Sequence, residues 1–534
     1  MLWFSQCSCI KQRVFMSNTN FDQVHGITGT YQSNLELELV CEHSTKNLKK
    51  SLTMTNGSIS WKVNFLKKKL KYWKKLVETP IEDQILVQNP EMREAAVSKL
   101  EKKIAKAREK IAEIEEQLAE LIPQIKEELF TETGDNTLVV PPGLWYLCEG
   151  VNGNAHLNSD LRPFSLPECR LYQSEALAEL YKYNRGTLEL ATGLGKSKII
   201  QSMALAGVGS KMRVMIVVPS EYLVGQMLRE MKALHPNTTA QGGGRQAELG
   251  WDILVTTIQS AQGFADLPDM ILLDESHHAP AETWTALLCK ATNATHVYSF
   301  TATAFRSDGL DLAIHAFAGP VVYSRDVRWG IENKWLTPFA AFSIQIQPKH
   351  STGGRVGQNI FLGDNIASTT AYKIMTGSYA VMQVVRDRLI AGLEKGRKPI
   401  VVFKTVEACK AFRKFCSSVL PMDVASAQEG HKSKAPLDKF RRGDANMLLA
   451  NSGLIAEGID MPQADVLIQI CQNSSDVMTT QMLGRVLRLA PNKPNAVVID
   501  IHISGYTQFD RAAARRNKIY TDIVGNDQLK ILRI

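Results

Sequence analysis

Residues 187–206 read TLELATGLGKSKIIQSMALA. A short apolar strand runs into a glycine turn, and the turn runs into a segment of helical composition. That order makes a phosphate cradle. Gly193 and Gly195 let backbone amides curl around oxygens, and the following helix N-terminus adds a favourable dipole. Lys196 is set to reach the outer phosphates of a nucleotide and Ser197 to hold Mg²⁺. The strict GxxxxGK[ST] spacing is not met, because Leu190 stands where its first glycine would fall.

On either side of this stretch the same alternation continues. The runs RVMIVVP, DILVTT, MILLDE and THVYSFTAT are continuous apolar strands between helical segments, which requires a parallel sheet covered on both faces. MILLDESHH ends one such strand on Asp274 and Glu275. An acid there can anchor Mg²⁺, and its neighbour can orient and deprotonate an attacking water. His277 and His278 do not make a metal pair, since adjacent side chains point apart. After a polar, glycine-rich stretch (residues 347–368), PIVVFK, NMLLAN, VLIQI and AVVIDI read as strands of a second parallel sheet. In that half QMLGRVLR sets Gln481, Arg485 and Arg488 on one helix face, where two guanidinium groups can meet charge developing on a phosphoryl group. The fold class expected is α/β, two tandem RecA-like parallel-sheet lobes behind an N-terminal helical appendage.

The appendage is read from periodicity. In WKVNFLKKKLKYWKKLV, Leu66, Leu70, Trp73 and Val77 recur at helical spacing, and ten lysines with no acid lie between Lys46 and Lys75. Val97, Leu100, Ile104, Ala107, Ile111, Ile114, Leu118, Leu121 and Ile125 then step by three and four, a coiled-coil seam disturbed at its end by Pro123. The two helices are expected to form a hairpin, or residues 91–129 to pair with another copy or a protein partner. The lysine-rich segment, with its interleaved aromatics, can pack as a helix, contact DNA or lie on a membrane surface. The divisions expected are 1–57 irregular, 58–135 basic helix and coiled coil, 136–164 a small accessory region, 165–345 the first lobe, 346–372 a linker and 373–534 the second lobe.

The bulk properties set limits. At 534 residues several domains are expected, and a net charge of +8 favours polyanions only mildly. The nine cysteines contain no CxxC pair, which argues against a zinc site or disulfide framework and for a reducing compartment. No apolar run approaches a membrane span, and the short greasy start lacks a basic leader. A cytoplasmic protein, bacterial or in a phage-infected host, is expected.

In their order, LYQSEAL, ATGLGKS, VVPSEYLVGQ, VTTIQS, DESH, TATAFRSDG, IVVFK, ANSGLIAEGIDMP and QMLGRVLR resemble superfamily 2 helicases and translocases. The likeness is to the DExH group that takes in type III restriction motors, Rad25-like helicases and phage UvsW-like helicases, and it covers residues 165–505. It implies that Tyr172 and Gln173 recognise adenine, that Thr192, Gly193, Leu194, Gly195, Lys196 and Ser197 hold the triphosphate, and that Gly458 and Asp460 line the cleft near the ribose. His277, Thr301 and Thr303 would couple hydrolysis to movement. Lys196, Asp274, Glu275, Gln481, Arg485 and Arg488 would be catalytic, with Mg²⁺ on Ser197 and Asp274. Pro219, Ser220, Thr256, Thr257, Phe403, Lys404, Thr405, Asn451 and Ser452 would touch nucleic acid. Ser276, Ala304 and Asn451-Ser452 depart from the usual residues without removing a catalytic group. The activity implied is ATP-dependent unwinding or translocation on DNA (single-stranded, forked or branched) in recombination, repair or replication, with RNA as the alternative strand. A restriction motor lacking its own nuclease is the second reading, and a non-catalytic coiled-coil interaction protein the third.

Overall fold

The computed structural model describes residues 27–31, 37–41, 53–55, 90–121, 126–128, 131–134, 137–142, 144, 150–152, 160–265, 267–275, 281–302, 311–346, 372–373, 376–420, 424–425, 435–453, 461–470, 476–504 and 507–534, with residues 66, 67, 70, 74 and 77. The chain forms two compact units: Met1–Gly153 with Phe305–Phe317, and Asn154–Ala304 with Ala318–Ile534. Among the described residues no helix is long and apolar enough to cross a membrane.

The first unit corrects the sequence reading of its flanks. Residues 1–57 are not irregular throughout: β1 (Ile27–Tyr31) and β2 (Leu37–Cys41) pair antiparallel. β3 (Thr53–Thr55) pairs with β4 (Lys126–Glu128), which follows α1 (Pro90–Leu121). β5 (Thr131–Gly134), β6 (Thr137–Val140) and β7 (Gly150–Asn152) complete a sheet of order β5-β6-β2-β1-β7, so parts of the expected accessory region belong here. Strands this short are stabilised by cross-strand pairs instead of a long apolar run, and composition hides them. On α1, Ala107, Ile114 and Leu118 are buried, and Glu115 pairs with Lys74 at 2.7 Å. The helix ends at Leu121, short of the expected Ile125, because Pro123 cannot continue it.

In the second unit the first sheet is built from β8 (Arg185–Leu190), β9 (Val214–Val218), β10 (Thr238–Gln241), β11 (Ile253–Thr257), β12 (Met270–Asp274), β13 (His296–Thr301) and β14 (Val321–Arg325). All pairings are parallel, in the order β10-β11-β9-β12-β13-β8-β14. α2 (Leu171–Leu180), α3 (Lys196–Gly209), α4 (Glu221–Leu234), α5 (Ile258–Ala261) and α6 (Ala281–Lys290) connect or flank the strands; α7 (Asp311–Ala318) belongs to the first unit but for its last residue, and α8 (Val327–Glu332) follows β14. Every residue of β9 and β11 is buried, as a sheet covered on both faces demands.

The second sheet comprises β15 (Phe339–Ile346), β16 (Pro399–Phe403), β17 (Val424–Ala425), β18 (Leu448–Asn451), β19 (Val466–Ile470), β20 (Ala496–Ile503) and β21 (Leu529–Arg533), in the parallel order β17-β18-β16-β19-β20-β15-β21. With it go α9 (Tyr379–Glu394), α10 (Val406–Cys416), α11 (Ala435–Arg442), α12 (Asp476–Val486) and α13 (Thr507–Val524). The expected boundary at 345 is therefore wrong. β15 pairs with β20 and β21 over its length, so the crossover between lobes is the stretch 326–338. Tyr372, expected in a linker, is buried in the core of the second lobe. One apolar cluster runs from Ile199 and Leu188 through Val327 and Leu336 to Leu483 and Val402, so the two lobes share a core. Inside the second lobe, Asp500 of β20 is gripped by Arg516 at 2.5 and 2.9 Å and by Tyr520 at 3.0 Å, both on α13. Burial pushes the Asp500 carboxyl up, and Arg516 outweighs it and holds it below its ordinary range.

Candidate functional site

The glycine turn leaves β8 and enters α3 as the residue pattern requires. Gly193 and Gly195 have φ of +95° and +81°, a left-handed backbone that favours glycine. The loop is held from outside by α2. The Tyr172 hydroxyl donates to the Leu194 carbonyl at 2.8 Å, and the Gln173 amide donates to the carbonyls of Leu194 and Gly195 at 3.0 and 3.3 Å. The Gln173 side-chain oxygen accepts from the Arg170 amide at 2.8 Å, which caps α2. A Cβ on Gly195 would collide with the Gln173 amide nitrogen. Both residues are buried, and the Tyr172 ring sits 5.2 and 5.3 Å from those of Trp329 and Trp335. The polar groups expected to read adenine thus hydrogen-bond the phosphate loop.

At the head of α3, Lys196 is buried and pairs with Glu275 at 2.7 Å; its ammonium also reaches the Leu190 carbonyl at 3.4 Å. Glu275 follows the end of β12 with φ +47°, a left-handed conformation costly for a side-chain-bearing residue. Beside it, burial pushes the Asp274 carboxyl up to about 7; Glu275 adds to the rise, while Lys196 and Arg485 work against it. The oxygen donors Asp274 and Ser197 suit a hard cation such as Mg²⁺. Within the loop the Thr192 hydroxyl is buried with no hydrogen-bond partner among the described residues, a polar atom that a phosphate or cation would engage.

The second lobe closes on this loop. Gln481 and Arg485 on α12 are buried, and the charge of Arg485 acts on Asp274. A Cβ on Gly193 would stand 3.2 Å from the Gly484 carbonyl and 3.3 Å from Arg488 Cγ. A Cβ on Gly484 would overlap Thr192, with the Thr192 carbonyl 2.8 Å away. Helix and loop meet backbone to backbone because both contact points are glycines. Sequence reading passed over Gly484, although an isolated glycine inside a helical segment is itself a sign of close approach.

The segments expected to touch nucleic acid are strand-to-helix junctions. Ser220, Thr257 and Thr405 cap α4, α5 and α10, their hydroxyls accepting from Leu223, Ser260 and Ala408 amides at 3.4, 3.4 and 3.2 Å. Pro219 is half-buried and Lys404 exposed, while Asn451, the last residue of β18, and Ser452 after it are buried. Two of these side chains turn inward. Phe403 is fully buried, 5.4 Å from the Phe412 ring, and the Thr256 hydroxyl is buried and donates to its neighbour's carbonyl at 3.2 Å. Alternation along the strand turns both side chains into the core. Unread in the sequence was Gly242-Gly243-Gly244, all of positive φ, where a Cβ on Gly242 would lie 3.0 Å from the Ser260 hydroxyl. Thr301 is buried at the end of β13, while His277, Thr303, Gly458 and Asp460 lie outside the described residues.

Residues 166–306 match the family model of the type III restriction enzyme res subunit, and residues 381–490 that of the helicase conserved C-terminal domain. The DNA 3'-5' translocase XPB2 of Sulfurisphaera tokodaii is 25% identical over 384 residues, 65% of this chain and 84% of that protein. The putative ATP-dependent helicase IRC3 of Saccharomyces cerevisiae is 24% identical over 367 residues, 64% of this chain and 52% of that protein. A fragment of a putative HsdR subunit of a type I restriction enzyme from Vibrio vulnificus has the same fold, with TM-score 0.52, 18% identity and 72% of each chain covered. The chain thus carries, in family order, a domain matching the type III restriction subunits and a helicase C-terminal domain, and it resembles the superfamily 2 helicases and translocases.

Proposed function

We propose that the chain is a nucleic-acid-stimulated ATPase that unwinds or remodels DNA in recombination, repair or replication, in a bacterium or phage. The observation that carries this reading is the close approach of Gly484 on α12 of the second lobe to Thr192 and Gly193 of the phosphate loop of the first. A nucleotide site finished by the other lobe makes hydrolysis conditional on closure.

Lys196 pairs with Glu275 at 2.7 Å. Phosphate oxygens compete for that ammonium, and Glu275, once released, orients the attacking water. Arg485 and Arg488 meet the charge that develops on the transferring phosphoryl group. Ser197 and Asp274 would hold Mg²⁺, which neutralises phosphate charge when bound. Hydrolysis cleaves the terminal phosphate from ADP, its release as inorganic phosphate removes the charge that joins the lobes, and alternation between closed and open states shifts the strand. The helix N-termini behind Ser220, Thr257 and Thr405 receive backbone phosphates, so binding is largely sequence-independent and weakens with salt.

Lys196→Ala and Glu275→Gln are each expected to abolish ATPase activity stimulated by nucleic acid. Turnover like wild type in either variant refutes the assignment. Single-stranded, duplex and forked DNA and RNA, tested in parallel, identify the strand. The match to a restriction subunit supports a second reading, a translocating motor whose nuclease acts in trans. Duplex-stimulated ATPase without strand separation would favour it, and unwinding of a fork by the chain alone would favour the first.

A further inference from the structure

The crossover between the lobes does more than connect them: three consecutive residues each touch a different part of the nucleotide site. Trp335 packs 5.3 Å from Tyr172, the residue bonded to the Leu194 carbonyl, and lies under the Arg170 guanidinium at 4.9 Å. Leu336 is buried against the loop itself, and a Cβ on Gly193 would come within 2.9 Å of its Cδ2. Thr337 turns to the second lobe. Its amide donates to the Leu487 carbonyl at 2.7 Å and its hydroxyl to the Arg488 carbonyl at 3.2 Å. Lys493 donates to that same Arg488 carbonyl at 2.8 Å.

The last carbonyls of a helix have no amide of their own to accept from. Those just past the end of α12 are taken up by the crossover and Lys493, which fixes the backbone from which the Arg488 side chain leaves. Trp335, held by hydrogen bonding of its amide to the Gly330 carbonyl at 2.8 Å, joins the same short segment to the Tyr172 side of the loop. Loop and arginine helix are therefore positioned by one rigid tripeptide, in addition to their direct contact.

We propose that Trp335, Leu336 and Thr337 form a clasp that sets Arg488 against the phosphate loop, with Thr337 and Lys493 as positioning residues for ATP hydrolysis. The inference rests on the reading of Arg488 as a residue that meets the phosphoryl group. A connector serving only as apolar filling would stabilise the closed lobes without acting through Arg488.

The test is steady-state ATPase kinetics with saturating nucleic acid on Thr337→Val, Thr337→Ser, Lys493→Met and Arg488→Ala, and on each positioning variant combined with Arg488→Ala. Thr337→Val removes one hydrogen bond and keeps the shape, so kcat is expected to fall about five-fold while KM for ATP stays within about two-fold. Thr337→Ser is expected to restore kcat. Lys493→Met, at a half-exposed site, is expected to lower kcat in the same sense without loss of thermal stability. Neither Thr337→Val nor Lys493→Met should slow the enzyme further once Arg488 is alanine. Losses that multiply with that of Arg488→Ala, or normal kcat in both positioning variants, overturn the clasp while the reading of Arg488 stands. Wild-type turnover in Arg488→Ala overturns both.

Discussion

Gly484→Ala separates stability from closure. Gly484 lies inside α12, where alanine is the better helix former by about 0.5–1 kcal/mol. In the closed arrangement the added methyl would overlap Thr192 Cβ, with the Thr192 carbonyl at 2.8 Å and Cγ2 at 2.9 Å. A rotamer change cannot relieve contact with a backbone carbonyl, so the loop and helix must part. Overpacking of this kind costs about 1–3 kcal/mol, a factor of about 5 to 150 in the population of closed lobes. Lobes that separate feel none of it. The variant is expected to keep or slightly raise its thermal midpoint while kcat/KM for ATP falls by a factor in that range. Stopped assays of phosphate release, with a thermal melt of the same preparation, measure both. Unchanged kcat/KM would refute close helix-to-loop contact as a condition of hydrolysis. A fall in the melting midpoint that matched the loss of activity would reduce the effect to folding.

Two other consequences can be measured. Gln173→Ala removes the amide that holds the Leu194 and Gly195 carbonyls, and KM for ATP is expected to rise about ten-fold with a small change in kcat, as determined by ATP titration. Equal kinetics for all purine triphosphates in wild type would agree with loop-shaping by Gln173, whereas selectivity lost only in the variant would return it to base recognition. His296, buried on β13, is pushed down to about 4, by burial first and then by Arg185. The folded state keeps it neutral while the unfolded chain binds a proton below about 6.5, so stability is lost as pH falls from about 6.5 to about 4, by at most about 3 kcal/mol. Denaturant unfolding across that range should show a shallower pH dependence in His296→Gln, and an identical slope would exclude His296 as its source.

Much of the fold is legible locally because a buried parallel strand has no polar side to show. VMIVV, ILVTT, MILLD, PIVVF and VLIQI are uninterrupted runs, and each is a central strand. The strands missed in reading are mostly of another kind. TTAQ, VVYSR and LKILR lie at sheet edges, where one side is uncovered and polar residues are tolerated. FAAFSIQI is central but rich in small residues, and only its pairing with β20 and β21 assigns it to the second lobe.

The candidate site divides along the same line. Spacing alone determined the strand, glycine turn and helix from Thr187 to Ala206, the acidic strand end at Asp274 and Glu275, and the placing of Gln481 and Arg485 on one helix, because each depends on residues within a few positions of one another; Arg488, expected on that same helix face, lies past its end at Val486. Only the tertiary structure decided that Tyr172 and Gln173 serve the loop, that Phe403 and Thr256 face the core, and that Gly484 and Thr337 bring the arginine helix to the phosphates. The loop and helix contacts among these join residues 21 to 292 positions apart, as from Gln173 to Leu194 and from Thr192 to Gly484. Periodicity records which face of an element is covered, and the identity of what covers it is settled by packing between distant parts of the chain.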